Sequence, residues 1–311
     1  MVIVCSTDDK YVQHCVLMLI SLALHNSDVK IYILTDKLSE SNKILIKDEM
    51  KPYDVALHFI QVDSNIITSL PMPNNASLRH ISLATYYRLF ISKLLPAEDT
   101  KVIYLDCDII VNNSLKDLWD TDINDFALGA VAQVGDSEDC IRLGISETKG
   151  YFNAGVLLIN LDYWRRHNVE SRFLEYIALN RNKIIYHDQD VLNVVLHNEY
   201  KGLSIKWNLT SDHYNPFFKK YINKDKSLTD HQKTEIRNEL RLLKKNPVIV
   251  HYVFIPKPWE KWCFSIHQQL YYETAKRSKH FKHLRYCWLA NKLAFYKYYI
   301  VMCKNELMEH L

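Results

Sequence analysis

The stretch MVIVCSTDDKYVQHCVLMLISLALHNSDVKIYILT, Met1 to Thr35, sets two short β-rich runs, VIVCS and KIYILT, on either side of a helical pattern from Tyr11 to Asn26. Strands alternating with helices of about 10–15 residues build βαβ units, in which a crossover helix joins two parallel strands. The pattern repeats downstream. A second helix is predicted from Ser39 to Met50, followed by the strand ALHFIQV; SLRHISLATYYRLFISKLL has helical period, and KVIYLD is the next strand. FALGAVAQV and YFNAGVLLINL are also strand-like. The fold class that follows is α/β: a single Rossmann-like domain around a doubly wound, mixed, mainly parallel sheet.

Beyond these lie a helical segment LDYWRRHNVESRFLEYIALNRN with Asp162 expected as its N-cap, a helix HDQDVLNVVLHNEY, a charged helix from Thr229 to Lys245, and a last buried strand NPVIVHY. A chain of 311 residues with 48% apolar content can bury a large core, and its net charge of +3 raises no global field toward nucleic acid. The amino terminus shows no basic segment followed by a long apolar one, which predicts a cytoplasmic protein. The apolar run CVLMLISLAL is about half the length of a membrane-spanning helix. Seven cysteines without a C-x-x-C pair are expected to be reduced thiols.

In a doubly wound sheet, ligands bind beyond the carboxyl ends of the strands. Ser6 to Asp9, Asp106 to Asp108, and His251 occupy such positions. All six glycines lie at or after Gly129, so the early βα turns carry no glycine-rich phosphate loop. A bound diphosphate would need a cation and basic side chains instead. LDCDIIV places Asp106 and Asp108 one residue apart in an apolar run, and on a strand both carboxylates would lean to one face. A divalent cation shared between them and two acids standing in water at a strand end are both open readings, and burial of the flanking residues favours the cation. His251 would add a nitrogen ligand suited to Mn²⁺. Cys107 would face the opposite side, in the core. Two further D-x-D triplets, Asp120/Asp122 and Asp188/Asp190, read as a solvated bend and a helix-capping pair.

Seven segments in order, IVCSTDDKYV, RHISLATYYRL, VIYLDCDIIV, LKDLWDTDI, YFNAGVLLINLDYWRRHN, YHDQDVLN and HYVFIPKPW, together resemble the retaining nucleotide-sugar glycosyltransferases of family 8, especially bacterial lipopolysaccharide galactosyl- and glucosyltransferases. The resemblance implies a GT-A fold and a UDP-galactose or UDP-glucose donor. It implies Asp106, Asp108 and His251 as ligands of Mn²⁺ (or Mg²⁺), with Asp106 and Cys107 also beside the donor. Ser6, Asp8 and Lys10 match the uridine side, and Lys257 the diphosphate. Arg88, Asn153, Ala154, Gly155, Asp188 and Gln189 match positions around the donor hexose; Arg88, Asn153, Asp188 and Gln189 are the expected catalytic group. Gln189 stands where the family has its candidate nucleophile. Glutamine is a poor nucleophile, so front-face attack assisted by the leaving phosphate is the expected route to retention. His80 and Tyr186 match the acceptor side. The chain departs from its relatives at Phe254 and Ile255, which replace a Gly-Pro pair.

The chain divides on composition into residues 1–275 and a tail, 276–311. From Lys276 to Lys304 the tail carries eight Lys and Arg and no Asp or Glu, interleaved with aromatics. Such a pattern suits a helix in an anionic membrane interface; a helix packed on the domain and a nucleic-acid patch are the alternatives. The resemblance favours the membrane and a lipid-linked saccharide acceptor, with no nucleic acid partner, on the inner face of the plasma membrane. Two other functions stay open: a sugar-phosphate nucleotidyltransferase, whose glycine-rich loop is absent, and a non-catalytic carbohydrate-binding protein.

Overall fold

The computed structural model describes residues 1–63, 70, 83–133, 137–214, 218, 222–223, 228–253, 256–261, 263 and 265–287. The opening unit forms as read: β1 (Val2–Ser6), α1 (Val12–Ala23), β2 (Val29–Thr35), α2 (Glu40–Met50) and β3 (Val55–Gln61). Then come β4 (Lys101–Leu105), β5 (Ile109–Val111), β6 (Leu128–Gln133), β7 (Tyr151–Asn160), β8 (Tyr200–Gly202), β9 (Leu209–Thr210) and β10 (Ile249–His251). Seven strands make one sheet in the order β3-β2-β1-β4-β7-β6-β8, and three make a second, β5-β10-β9. In the large sheet β7 is antiparallel to both neighbours and every other pairing is parallel.

The inner strands of the large sheet are apolar almost throughout because both of their faces are covered, whereas the edge strands β3 and β8 are partly exposed. Ile3 and Cys5 of β1 enter one core cluster while Val4 enters the other; Ile103 and Leu105 of β4 are likewise divided from Val102 and Tyr104. Helix α1, buried along most of its length, belongs to the first cluster. Ser39 caps α2 and is tied by Asp9, whose Oδ1 accepts from Ser39 N at 2.9 Å and Asn42 Nδ2 at 2.8 Å.

Local corrections concern helix ends. Asn160, not Asp162, is the N-cap: its Oδ1 accepts from Tyr163 N at 2.9 Å. The long helix expected there is two, Leu161–Arg166 and Val169–Asn180, because Asn168 takes a left-handed turn at φ 48°. Leu83–Phe90 is 3₁₀ rather than α, continued by a short helix, Ile91–Leu94. Thr229 closes a capping box with Gln232 at the head of the helix Asp230–Leu243.

Residues 276–287 pack on the domain, so the expected boundary at 275/276 coincides with no break in packing. Buried Glu49 accepts from Ser278 Oγ at 2.6 Å and His280 N at 2.8 Å, and Leu284 joins the core. Lys276 pairs with Glu273 at 2.7 Å and Lys279 with Asp48 at 3.1 Å, which neutralises part of the basic run. Residues 288–311, His80, Phe254, Ile255 and Cys303 lie outside the described residues. Among the described residues no helix is long and apolar enough to cross a membrane.

Candidate active site

β4 ends at Leu105 and β5 begins at Ile109, so Asp106-Cys107-Asp108 is not part of a strand. It is the turn that carries the chain from the large sheet to the small one. Both ends are fixed by main chain: Asp106 N donates to Gly155 O at 2.9 Å, and Tyr252 N donates to Asp108 O at 2.9 Å. The second bond explains why His251 arrives beside the aspartates, since β10 runs antiparallel to β5 with His251 opposite Ile109. Single ligand atoms of Asp106, Asp108 and His251 all lie within 4.8 Å of one another. His251 Nε2 is 3.1 Å from Asp108 Oδ1 and 3.9 Å from Asp106 Oδ2. Its Nδ1 lies 2.9 Å from Asn208 Oδ1, which leaves Nε2 directed at the carboxylates. Cys107 is buried as expected, and its thiol donates to Ser6 O at 3.1 Å.

Two cations flank the triad. Lys257 Nζ sits 2.7 Å from Asp108 Oδ2 and donates to Val253 O at 3.0 Å. Burial alone would raise the Asp108 carboxyl, but Lys257 and His251 outweigh it and hold the group well below the usual carboxylate range. Arg88 is 96% shielded and bridges Asp106 Oδ1 at 2.7 Å and Asp188 Oδ2 at 2.8 Å, its guanidinium 4.3 Å from the Tyr104 ring centroid. Tyr104 also donates to Asp106 Oδ1 at 3.2 Å. Three carboxylates thus face two fixed cations. Burial pushes the Asp188 carboxyl up to about 7, with Arg88 opposing and Asp106 adding like charge. Asp188 and Asp190 do open the helix His187–Val195, but both are buried in ion pairs rather than acting as solvated caps.

Asn153, Ala154 and Gly155 sit inside β7, where the pairing with β6 slips: Ala130 opposes Leu157 and Ala132 opposes Phe152. This bulge aims backbone groups into the site. Ala154 O accepts from Arg88 Nη1, Ala154 N donates to Gln189 Oε1 at 3.0 Å, and Gly155 N donates to Asn153 Oδ1 at 2.9 Å. Gly155 is needed for close approach: a Cβ there would stand 2.1 Å from His251 Cε1 and 2.8 Å from Asp106 Oδ2.

On the side of the β1–α1 turn, Ser6 Oγ lies 3.3 Å from the Tyr104 hydroxyl, and Asp8 Oδ1 accepts from Lys10 N at 2.9 Å and Tyr11 N at 3.1 Å. Lys10 is exposed. Trp259, two residues past Lys257, stacks on His14 of α1 with ring centroids 3.6 Å apart, which ties the Lys257 segment to that turn. Tyr186 is 41% exposed, with the Arg142 guanidinium 5.6 Å from its ring centroid.

The family model for glycosyl transferase family 8 matches residues 2–263. This chain belongs to glycosyl transferase family 8. General stress protein A of Bacillus subtilis is 30% identical over 264 residues, covering 83% of this chain and 86% of its own length. The lipopolysaccharide 1,3-galactosyltransferase of Salmonella typhimurium is 25% identical over 331 residues, with 97% and 90% covered. The solved structure of the galactosyltransferase LgtC, in complex with donor and acceptor sugar analogs, aligns with a TM-score of 0.78 at 27% identity, covering 90% of this chain and 96% of that one. The GT-A-like fold expected of a family 8 glycosyltransferase is therefore the fold observed.

Several site residues of this family 8 chain carry no signal in the sequence pattern. Asn208 orients His251, Tyr104 supports both Asp106 and Arg88, and Asn193 clamps Phe152 through Oδ1 to its N–H and Nδ2 to its carbonyl, each at 2.8 Å. A buried asparagine beside a two-residue strand is a cue only once its neighbours are known.

Proposed function

We propose that the chain transfers a hexose, galactose or glucose, from a UDP-sugar to a saccharide of lipopolysaccharide or a related glycan, with retention of configuration and dependence on Mn²⁺. The observation that carries this reading is the convergence of Asp106, Asp108 and His251 beside Lys257 and the Arg88–Asp188 pair. Two carboxylates and an imidazole with its second nitrogen engaged form a donor set suited to Mn²⁺. When bound, the ion would neutralise charge on the diphosphate. Lys257, buried at the same place, would stabilise charge that grows on the leaving phosphate. Arg88 holds Asp106 and Asp188 in fixed positions, and the small residues Ala154 and Gly155 would let the sugar ring approach the backbone. The likeness to LgtC, described with donor and acceptor sugar analogs, and to a lipopolysaccharide galactosyltransferase supports the substrate classes. Gln189 Oε1 already accepts from Ala154 N at 3.0 Å and Asn153 Nδ2 at 3.2 Å, which favours front-face attack over attack by Gln189.

The test is a panel of UDP-glucose, UDP-galactose and their N-acetyl forms, with Mn²⁺ or with EDTA, reading hydrolysis and transfer. We expect UDP release from one of the two hexose donors, abolished by EDTA and restored by Mn²⁺. Turnover that is independent of metal, or no turnover of any UDP-sugar, would refute the reading.

The same proposal places the protein on the inner face of the membrane through residues 288–311. Because residues 276–287 are part of the packed domain, the informative truncation ends at Cys287. It is expected to shift the protein from anionic vesicles to the supernatant while leaving transfer to a soluble saccharide intact. Unchanged sedimentation with vesicles would assign membrane contact, if any, to the folded domain.

A further inference from the structure

A single polar chain crosses the site, and its bonds all run one way. His251 Nδ1 lies 2.9 Å from Asn208 Oδ1, and Asn208 Nδ2 donates to Asn153 Oδ1 at 2.8 Å. Asn153 Nδ2 donates to Gln189 Oε1 at 3.2 Å, Gln189 Nε2 to the Tyr151 oxygen at 3.1 Å, and Tyr151 OH to Asp190 Oδ1 at 2.8 Å. Main-chain donors set this direction. Gly155 N–H faces Asn153 Oδ1 and Ala154 N–H faces Gln189 Oε1. A backbone N–H can only donate, so each amide must turn its oxygen to it and its NH₂ onward.

The far end is equally determined. Asp190 has no exposed surface and accepts from Arg142 Nη1 at 3.0 Å, Arg142 Nη2 at 2.9 Å, Ile185 N at 2.7 Å and Tyr186 N at 2.9 Å, besides Tyr151. Five donors meet about four lone-pair sites, so neither oxygen is left to act as a base or nucleophile. Tyr151 gives its one proton to this carboxylate and can therefore only accept from Gln189. Gln189 Oε1 is engaged twice, whereas Nε2 carries two hydrogens and Tyr151 takes one.

We propose that Tyr151, held by Asp190 and Arg142, is the positioning residue that anchors the NH₂ end of the Gln189 amide, whose oxygen Ala154 N–H already holds, so that the amide meets the donor substrate with its second N–H rather than its oxygen. Half-buried Gln189 then serves as a hydrogen-bond donor to an oxygen of the sugar or the leaving phosphate. This deepens the proposed glycosyl transfer and rests on it for the substrate. The lock itself is a property of the protein alone.

The experiment is Tyr151→Phe, which removes the acceptor of Gln189 Nε2 and leaves Asp190 its other four donors. In protein labelled with [¹⁵N]glutamine, the side-chain NH₂ signals of Gln189, assigned by their loss in Gln189→Glu, should be well dispersed in the unmodified chain. They should collapse toward solvent-exposed positions in Tyr151→Phe. Transfer kcat should fall about 10–100-fold while the donor KM stays within about twofold, the size expected of a lost orienting hydrogen bond. Arg142→Lys, which keeps a cation on Asp190, should retain the dispersed signals. Unchanged Gln189 signals in Tyr151→Phe, or unchanged kcat when those signals do collapse, would overturn the proposal. If the unmodified chain turns over no UDP-sugar, the glycosyl-transfer reading fails, and the NH₂ spectrum still decides whether Tyr151 locks the amide.

Discussion

Asp108→Asn is expected to abolish Mn²⁺ binding and to reduce hexose transfer by roughly 10³-fold, since a lost Lewis-acid contribution of several kcal/mol corresponds to a factor of ten per 1.36 kcal/mol. The substitution removes one charge, and its amide cannot present an oxygen to both sides. At present Oδ1 is 3.1 Å from His251 Nε2 and Oδ2 is 2.7 Å from Lys257 Nζ. Lys257 is 5% exposed, so the variant also strands a buried ammonium on backbone carbonyls, at a cost of about 3 kcal/mol in stability. The double variant Asp108→Asn/Lys257→Met separates the two effects. It should recover much of the unfolding midpoint and none of the transfer. Calorimetric titration with Mn²⁺ and thermal unfolding with and without the ion measure both. Transfer at the original rate in Asp108→Asn would sink the metal site.

Gly155→Ala should be nearly as damaging to activity, through geometry alone. The added methyl would lie 2.1 Å from His251 Cε1, and 2.8 Å from both His251 Nδ1 and Asp106 Oδ2. Neither neighbour can yield freely. His251 is held by Asn208, and Asp106 by Arg88 and Tyr104. Overpacking of this kind costs typically about 1–3 kcal/mol, and here the displaced atoms belong to the proposed ligand set. We expect Mn²⁺ affinity and transfer to fall more than about 100-fold, with a modest loss of stability. Gly202→Ala is the control, because a Cβ there meets nothing within 4 Å. Full activity in Gly155→Ala would mean that His251 does not take part in the site.

The alternation from Val2 to Gln61 was legible because it is local. β1 and β2 are buried along most of their five and seven residues because both faces of the sheet are covered there, while the edge strand β3 alternates half-buried with exposed residues, and each pattern is local. Ser39 and Thr229 announced helix starts for the same reason: a cap acts on an N–H three residues away. The break at Asn168 was not legible, since a left-handed asparagine leaves the helical period of its neighbours intact. The spacing of Asp106 and Asp108 marks them as candidate ligands, but the apolar run around them reads as one continuous strand. The turn they occupy exists because the chain there leaves one sheet for another, which no local pattern reports.

By itself the sequence determined the α/β alternation, the absence of an early glycine-rich phosphate loop, and the chemical identity of the acids that could replace it. Only the tertiary structure brought His251 across from β10, placed Arg88 between Asp106 and Asp188, and revealed Asn208 and Tyr151 as the residues that orient the others. The physical reason is range. Burial and hydrogen-bond propensity are written in the spacing of neighbouring residues, whereas the partner of a buried polar side chain is set by sheet register and by a bulge in β7, and lies anywhere in the chain.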